Sequence, residues 1–329
     1  MQTINWGMIG AGEVSEIRNG PAFNNVTGSR LVAVMRRNGE KAADYARRHG
    51  VEKWYTDASE LMANKDINAI YIATPPSSHM DYAIEALNKG FNVYLEKPAA
   101  LNADQACQIA EVLKEHPDQR LTVAHYRRYL PLFLKVKEFI DEKLIGDIRT
   151  VQIRTWQNKD YTNQNDWYID PEISGGGYFH SVAPHQLDLM LYYFGEAEKY
   201  SGFSLNQNGS GNADDHVTGQ ILFKNNVVVN GSWCFTVAEN QVTDTCEIIG
   251  TKGKLTFPFS GNYIKWVTDK EEQTIILDPP QYAQQPLIEN IVKYFNGELP
   301  NPCSIDEAII SMKMMDAFTT KSSVKLPLV

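Results

Sequence analysis

Cysteine is scarce. The 329 residues hold four, Cys107, Cys234, Cys246 and Cys303, with no Cys-x-x-Cys pair among them. That scatter argues against a disulfide framework and a zinc knuckle, and it fits a reducing cytoplasm. Long apolar runs are missing as well: no stretch reaches the roughly 18 apolar residues that a membrane helix needs. The N-terminal "MQTINWGMIGAG" has neither a basic segment nor a cleavage pattern, so no signal peptide is expected. Positive charge is in deficit. Lys and Arg total 31 against 40 Asp and Glu, a net charge of -9, which disfavours a nucleic-acid backbone as partner. A local basic pocket for an anionic small molecule is compatible with that balance. Internal repeats and low-complexity tracts are absent.

What is present is an ordinary globular composition, 43% apolar and 22% charged, in a chain long enough for two domains. Up to about residue 125, short apolar runs ("INWGMIG", "LVAVM", "INAIYIA", "FNVYLE", "RLTVAH") alternate with helical patterns ("EKAADYARRHG", "MDYAIEALNKG", "ADQACQIAEVLKEH"). Such alternation implies βαβ units and a parallel sheet covered on both faces. Beyond Arg128 the pattern changes to a helix, a strand, a polar loop and the helical "YFHSVAPHQLDLMLYYFG". Alternating strands with short turns then follow from about Tyr200 to Leu277, and two helical segments end the chain. The fold class is therefore α/β. A dinucleotide-binding domain is expected over 1–125 and an α+β domain with a large, open, mostly antiparallel sheet over 126–329, the terminal helices being candidates to pack back on the first domain.

Gly10-Ala11-Gly12-Glu13-Val14-Ser15 follows the first strand and should open a helix. In a GxGxx[GAS] turn the first glycine permits the bend and the second lets a pyrophosphate approach the backbone. The small third residue lets the helix sit close to the sheet, and the helix N-terminus meets the phosphates. An acid about 20 residues on would select NAD by bonding the ribose 2′-hydroxyl. Here the second strand ends in Met35-Arg36-Arg37. Guanidinium forks suit a 2′-phosphate, so NADP is favoured and NAD stays possible; the bland alternative is that both arginines face solvent.

The apolar run "FNVYLE" stops abruptly at Glu96-Lys97-Pro98. Taken with the glycine turn, "ATPPSSH" (Ala73 to His79), "AHYRRYLP" and "SGGG" before a helix carrying His185 and Asp188, it forms an ordered set. Together these resemble the glucose–fructose oxidoreductase/inositol dehydrogenase (Gfo/Idh/MocA) family along nearly the whole chain. The resemblance implies a Rossmann domain followed by an α/β domain, and NAD(P)-dependent oxidation or reduction of a sugar, polyol or related carbonyl compound. It also implies a homodimer or homotetramer built through the open sheet face.

Hydride transfer to or from an alcohol carbon also moves one proton and favours an alkoxide-like oxygen. Lys97, at the C-terminal end of a parallel strand, suits the oxygen, since an ammonium there lowers the pKa of a bound hydroxyl. In the resemblance it is the signature catalytic residue, with Glu96 and Pro98 shaping the turn beside the nicotinamide and the Lys97–Pro98 bond often cis. His185 is the candidate acid/base, with Asp188 three residues on, where it shares a helix face. The resemblance places Thr74, Pro75 and His79 near the nicotinamide ribose, and Tyr126 and Arg127 beside cofactor and substrate. Arg128 reads more readily as a solvated basic turn. Trp167, Tyr168 and Tyr178 offer a wall for a sugar ring, or else belong to the core.

Many family members carry an aspartate one turn before the histidine. Here that position is Ser181, which can bond a hydroxyl and carries no charge. His180 is its neighbour, and Asp160, Asp166 and Asp170 are loop carboxylates that could compensate. No metal site is expected. The competing function class is a nucleotide-sensing homologue that has lost the reaction. Within enzymes, reduction of an anhydro-sugar, diol or imine-like substrate, or cofactor-retaining glycosidic chemistry, stays open.

Overall fold

The computed structural model describes residues 2–12, 15–16, 20–163, 166–209 and 211–319. Its first strands are β1 (Ile4–Ile9), β2 (Ser29–Met35), β3 (Lys53–Tyr55), β4 (Ala69–Ile72), β5 (Asn92–Leu95) and β6 (Leu121–Val123). They form one parallel sheet in the order β3-β2-β1-β4-β5-β6. Between them run α1 (Ala22–Asn25), α2 (Gly39–His49), α3 (Ala58–Met62), α4 (His79–Asn88) and α5 (Ala103–Glu115). The strand order reverses between β1 and β4, which opens a ligand crevice at the C-terminal strand ends.

Helix boundaries follow local hydrogen bonding. Asn38 accepts from Lys41 N to start α2, and Gly50, at φ +64°, closes it in the left-handed region. Asp57 starts α3 and Asn102 starts α5 in the same way as Asn38. The short β3 and α3 lack an apolar periodicity long enough to read in the sequence; no residue of β3 is buried.

The following elements are α6 (Pro131–Asp141), β7 (Ile148–Trp156), α7 (Pro171–Ser174), α8 (Tyr178–Phe194) and β8 (Ala197–Leu205). Six further strands complete a second sheet: β9 (His216–Phe223), β10 (Val228–Cys234), β11 (Thr243–Gly250), β12 (Gly253–Phe257), β13 (Tyr263–Thr268) and β14 (Glu272–Ile276). Eight strands pair in the order β14-β13-β12-β11-β7-β10-β9-β8. Among the described residues of this sheet only the β7–β10 pairing is parallel.

The last helices are α9 (Gln285–Phe295) and α10 (Ile305–Thr319). Helix α9 buries Leu287, Ile288, Ile291, Val292 and Phe295 in one cluster with Trp6, Phe23, Tyr94 and Tyr126 of the first sheet's unit. Two compact units result: the chain up to Leu130 with Pro279–Ile310, and Pro131–Asp278 with the segment that begins at Ser311. All four cysteines are free thiols. Among the described residues no helix is long and apolar enough to cross a membrane.

In the second unit Gly202, Gly219 and Gly231 stand in register across β8, β9 and β10. They leave a trough in which Phe318 and Trp233 stack, ring centroids 6.2 Å apart. A Cβ on Gly219 would lie 2.4 Å from the Phe318 ring, itself fully buried. Gly219→Val should therefore lower the unfolding midpoint, at a cost of about 1–3 kcal/mol for overpacking. Thermal or urea unfolding reads this directly, and an unchanged midpoint would rule the trough out as a packing constraint.

Candidate active site

The glycine turn sits at the strand-order reversal. Gly10 has φ +94°, and a Cβ there would come within 2.8 Å of Ala73 C and Thr74 N, so the turn after β1 is pressed against the loop after β4. The Gly10 and Ala11 amides both donate to Met35 O of β2, at 3.0 and 3.1 Å. Gly12 is different: among the described residues a Cβ built on it meets nothing closer than Gly10 O at 3.8 Å. The space a dinucleotide phosphate needs for backbone approach is therefore open. Ser15 is fully buried, its Oγ 3.4 Å from Gly10 O, as a close helix–sheet approach requires. These features fit a dinucleotide. Glu13 and Val14 lie outside the described residues. Half-buried Arg36 donates from Nη1 to Ala11 O at 3.2 Å, whereas Arg37 is exposed. The solvent-facing alternative thus describes Arg37 and not Arg36.

After β4, the Thr74 hydroxyl accepts from Ser78 Oγ at 2.8 Å, and Pro75 O accepts from the same hydroxyl at 3.1 Å. His79 is buried, its Nε2 2.7 Å from Thr74 O and its Nδ1 2.8 Å from Pro98 O. The imidazole thereby spans the loop after β4 and the turn after β5. Burial pushes its pKa below the usual value, against the pull of the two carbonyls.

At the end of β5 Glu96 is buried. Its Oε1 accepts from Tyr71 Oη at 2.8 Å and from Gln284 Nε2 at 2.6 Å, and its Oε2 accepts from the Lys97 amide at 3.2 Å. Lys97 is half-buried and its bond to Pro98 is cis. The acid that reads as part of a solvated turn is an internal anchor.

Beyond β6, Tyr126 packs in the apolar cluster of the first unit, and Arg127 is half-buried. Arg128, the residue most readily taken for a solvated turn, is buried and ion-pairs with Glu307 at 2.7 Å. Glu307 also closes a capping box at the start of α10: its Oε2 accepts from Ser304 N, and Ser304 Oγ accepts from Glu307 N.

Helix α8 presents His185 and Asp188, both buried, and half-buried Ser181 one turn earlier. Pro184 has no amide to give His180 O, so the ladder is interrupted just before His185. Gln186 was missed by the sequence reading. Its Nε2 donates to Thr155 Oγ1 of β7 at 2.8 Å, and its Oε1 accepts from Trp233 Nε1 of β10 at 2.5 Å. A glutamine within an otherwise apolar helix face was the available signal. This amide fixes the rotation of α8 on its sheet, and with it the direction of His185.

The aromatic residues form one stack. Trp167 lies 3.9 Å from Tyr168, and Tyr168 lies 5.5 Å from Tyr178, centroid to centroid. Tyr178 is buried and donates to Asp166, while Trp167 and Tyr168 are half-exposed, so core and wall both apply. A cavity of about 200 Å³ opens beside Trp167, Asp166 and Asp170; neither Lys97 nor His185 lines it. The three loop carboxylates have local work. Asp160 holds Thr162, Asp166 caps the turn at Tyr168, and Asp170 caps α7.

A parallel sheet in this order, with a bare glycine turn at its reversal and a lysine at the end of β5, defines a dinucleotide-binding oxidoreductase. Residues 4–125 match the oxidoreductase family with an NAD-binding Rossmann fold, and residues 133–256 match the GFO/IDH/MocA C-terminal domain. The chain belongs to the Gfo/Idh/MocA family and is an NAD(P)-dependent oxidoreductase. It is 46% identical over 320 residues to Oxidoreductase P35 of Formosa agariphila, covering 96% of this chain and 98% of that one. Levoglucosan dehydrogenase of Pseudarthrobacter phenanthrenivorans is 26% identical over 292 residues, 79% of this chain and 74% of its own length. A solved levoglucosan dehydrogenase, in complex with NADH and levoglucosan, shares the fold at TM-score 0.85, with 22% identity and 96% of both chains covered.

His180 lies over Gly176, whose φ of +156° and 2.3 Å Cβ-to-ring distance admit glycine alone. The ring is buried, and its Nδ1 has no hydrogen-bond partner among the described residues. Burial drives its pKa down to about 4, against a weaker pull from the Gly176 backbone. The unfolded chain takes up this proton near pH 6.5 and the folded chain only near 4. In that window the unfolded state binds more protons, so stability falls as pH drops from 6.5 to about 4. His180→Phe should flatten this part of the curve when urea midpoints are compared across it. Parallel wild-type and variant curves would remove His180 as the source.

Proposed function

We propose that the chain transfers a hydride between NADP and a sugar, polyol or related carbonyl compound. The observation that carries this reading is the lysine at the C-terminal edge of β5, on the same edge of the sheet as the open glycine turn. A nicotinamide dinucleotide, when bound at that turn, supplies or accepts the hydride. The chain's own residues do the rest. Gly10, Gly12 and Ser15 shape the phosphate cradle, and Thr74, Pro75, His79 and Glu96 frame the nicotinamide end. Lys97 bonds the substrate oxygen and favours its alkoxide-like state. His185 accepts the hydroxyl proton in oxidation and returns it in reduction. Tyr126, Arg127, His180, Ser181 and Asp188 belong to the walls and hydrogen-bonding groups around the substrate. Trp167 and Tyr178, in the aromatic stack, give a sugar ring a face. The segment 1–125 is assigned the nucleotide and 126–329 the substrate and self-association. Exposed Phe203, Leu205 and Ile276 support a homodimer or homotetramer.

Arg36 supports the NADP reading, because it stands where an NAD-selecting acid would and already leans on the glycine turn. Arg36→Asp should invert the preference, weakening NADPH by about tenfold or more through loss of a charge-assisted contact. Fluorescence titration with NADPH and NADH measures both affinities, and an unchanged ratio would defeat the assignment.

Turnover is expected on a panel of sugars, inositols, keto-sugars, diols and levoglucosan, with Lys97→Ala lowering kcat by about a hundredfold or more as an oxyanion-type contact is lost. Cofactor binding without turnover on any of them, equal in wild type and Lys97→Ala, would instead favour the sensor reading.

A further inference from the structure

Gln284 is contributed from far beyond every motif noted above, 188 residues after Glu96. It is 1% exposed and immediately precedes α9. Its amide is held at both ends. Nε2 donates to Glu96 Oε1 at 2.6 Å, and Oε1 accepts from Tyr94 Oη at 2.5 Å. The second bond decides the first: a tyrosine hydroxyl donated to the amide oxygen leaves the NH₂ group facing the carboxylate. Tyr94 and Glu96 lie two apart, so the pleat puts them on one face. Tyr71, in register with Tyr94 and stacked on it at 4.8 Å, adds the other donor to Oε1. Glu96 Oε2 then faces the amide of Lys97.

We infer that Gln284 is a positioning residue for the reaction: through Glu96 it sets the backbone direction at Lys97. This rests on the proposed catalytic role of Lys97. The physical reason is that a buried carboxylate stripped of a donor must find another or move. Glu96 also accepts from the Lys97 amide, so a shift of its carboxylate loses or redirects that bond. Since Gln284 acts through Glu96, its loss affects the geometry of the reacting step more than the binding of either ligand.

The test compares Gln284→Met, Tyr94→Phe, Lys97→Ala and wild type with NADPH and a turned-over sugar. Gln284→Met keeps side-chain length and removes both polar ends. Tyr94→Phe removes only the hydroxyl that orients the amide, and serves where Gln284→Met fails to fold. Expected for Gln284→Met is a fall in kcat of about 10- to 100-fold, the scale of an ångström's misplacement, with KM and the NADPH Kd within about threefold. Tyr94→Phe should show the same split in milder form. The double variant Glu96→Gln/Gln284→Glu moves the charge and keeps a donor–acceptor pair, and it should recover part of the kcat lost in Gln284→Glu alone. A merely structural role would lower the unfolding midpoint and leave kcat of the folded enzyme unchanged, and that result overturns the inference. So does a loss confined to KM or cofactor affinity. Failure of the underlying reading looks different: Lys97→Ala would itself retain full turnover.

Discussion

A carboxylate buried beneath a strand end is costly unless its lone pairs meet donors, and Glu96 meets that condition through Tyr71, Gln284 and the Lys97 amide. The rest of the first unit's site hangs on those bonds. Lys97 follows Glu96 directly, Pro98 follows across a cis bond, and the His79 ring lies between Pro98 O and Thr74 O. Thr74 N, in turn, lies against Gly10 so closely that no Cβ fits between them. A continuous chain of contacts therefore runs from the start of α9, under β5, across the loop after β4, to the glycine turn. Its members come from four places in the sequence, each joined to the next by a hydrogen bond or a close contact.

The second unit uses the same device. Gln186 is an uncharged side chain between buried donor and acceptor, Trp233 and Thr155, which are themselves paired across β10 and β7. Removing either contact would leave a buried amide half satisfied, so the helix has one preferred rotation on its sheet. His185 precedes Gln186 and inherits that rotation. In each unit the side chain proposed to act on substrate is thus adjacent to a buried polar anchor.

Local features were legible in the sequence. The glycine turn, the alternation of strand and helix, and the Glu96-Lys97-Pro98 stop are properties of short windows, and the physics that makes them is short-ranged. The eight-stranded sheet was readable in outline for the same reason, strand by strand, although β8 was not separately recognised and β3 is too short to register. What was not legible depends on distant pairs. Nothing near Glu96 announces Gln284, nothing near Arg128 announces Glu307, and the roles of both residues change from solvated to internal once those partners arrive. Tyr126 carries the ambiguity of all aromatics: its ring belongs to the cluster built with α9, a helix about 160 residues later in the chain.

As proposed, Arg36 would choose between two nearly identical cofactors through preorganisation. The two nucleotides differ by one phosphate, so discrimination is a difference in free energy at that group alone. A freely rotating arginine would give back much of its contact energy as lost side-chain freedom. The bond from Arg36 Nη1 to Ala11 O restricts the side chain before any ligand arrives, and it holds the guanidinium beside the turn that receives the phosphates. An acid at the end of β2 would repel a 2′-phosphate; here that repulsion is absent and a fixed positive charge stands in its place. The glycine turn can hold either nucleotide's pyrophosphate through the same backbone. In the proposed reading the residue that would separate them is Arg36, whose side chain the fold already holds in place.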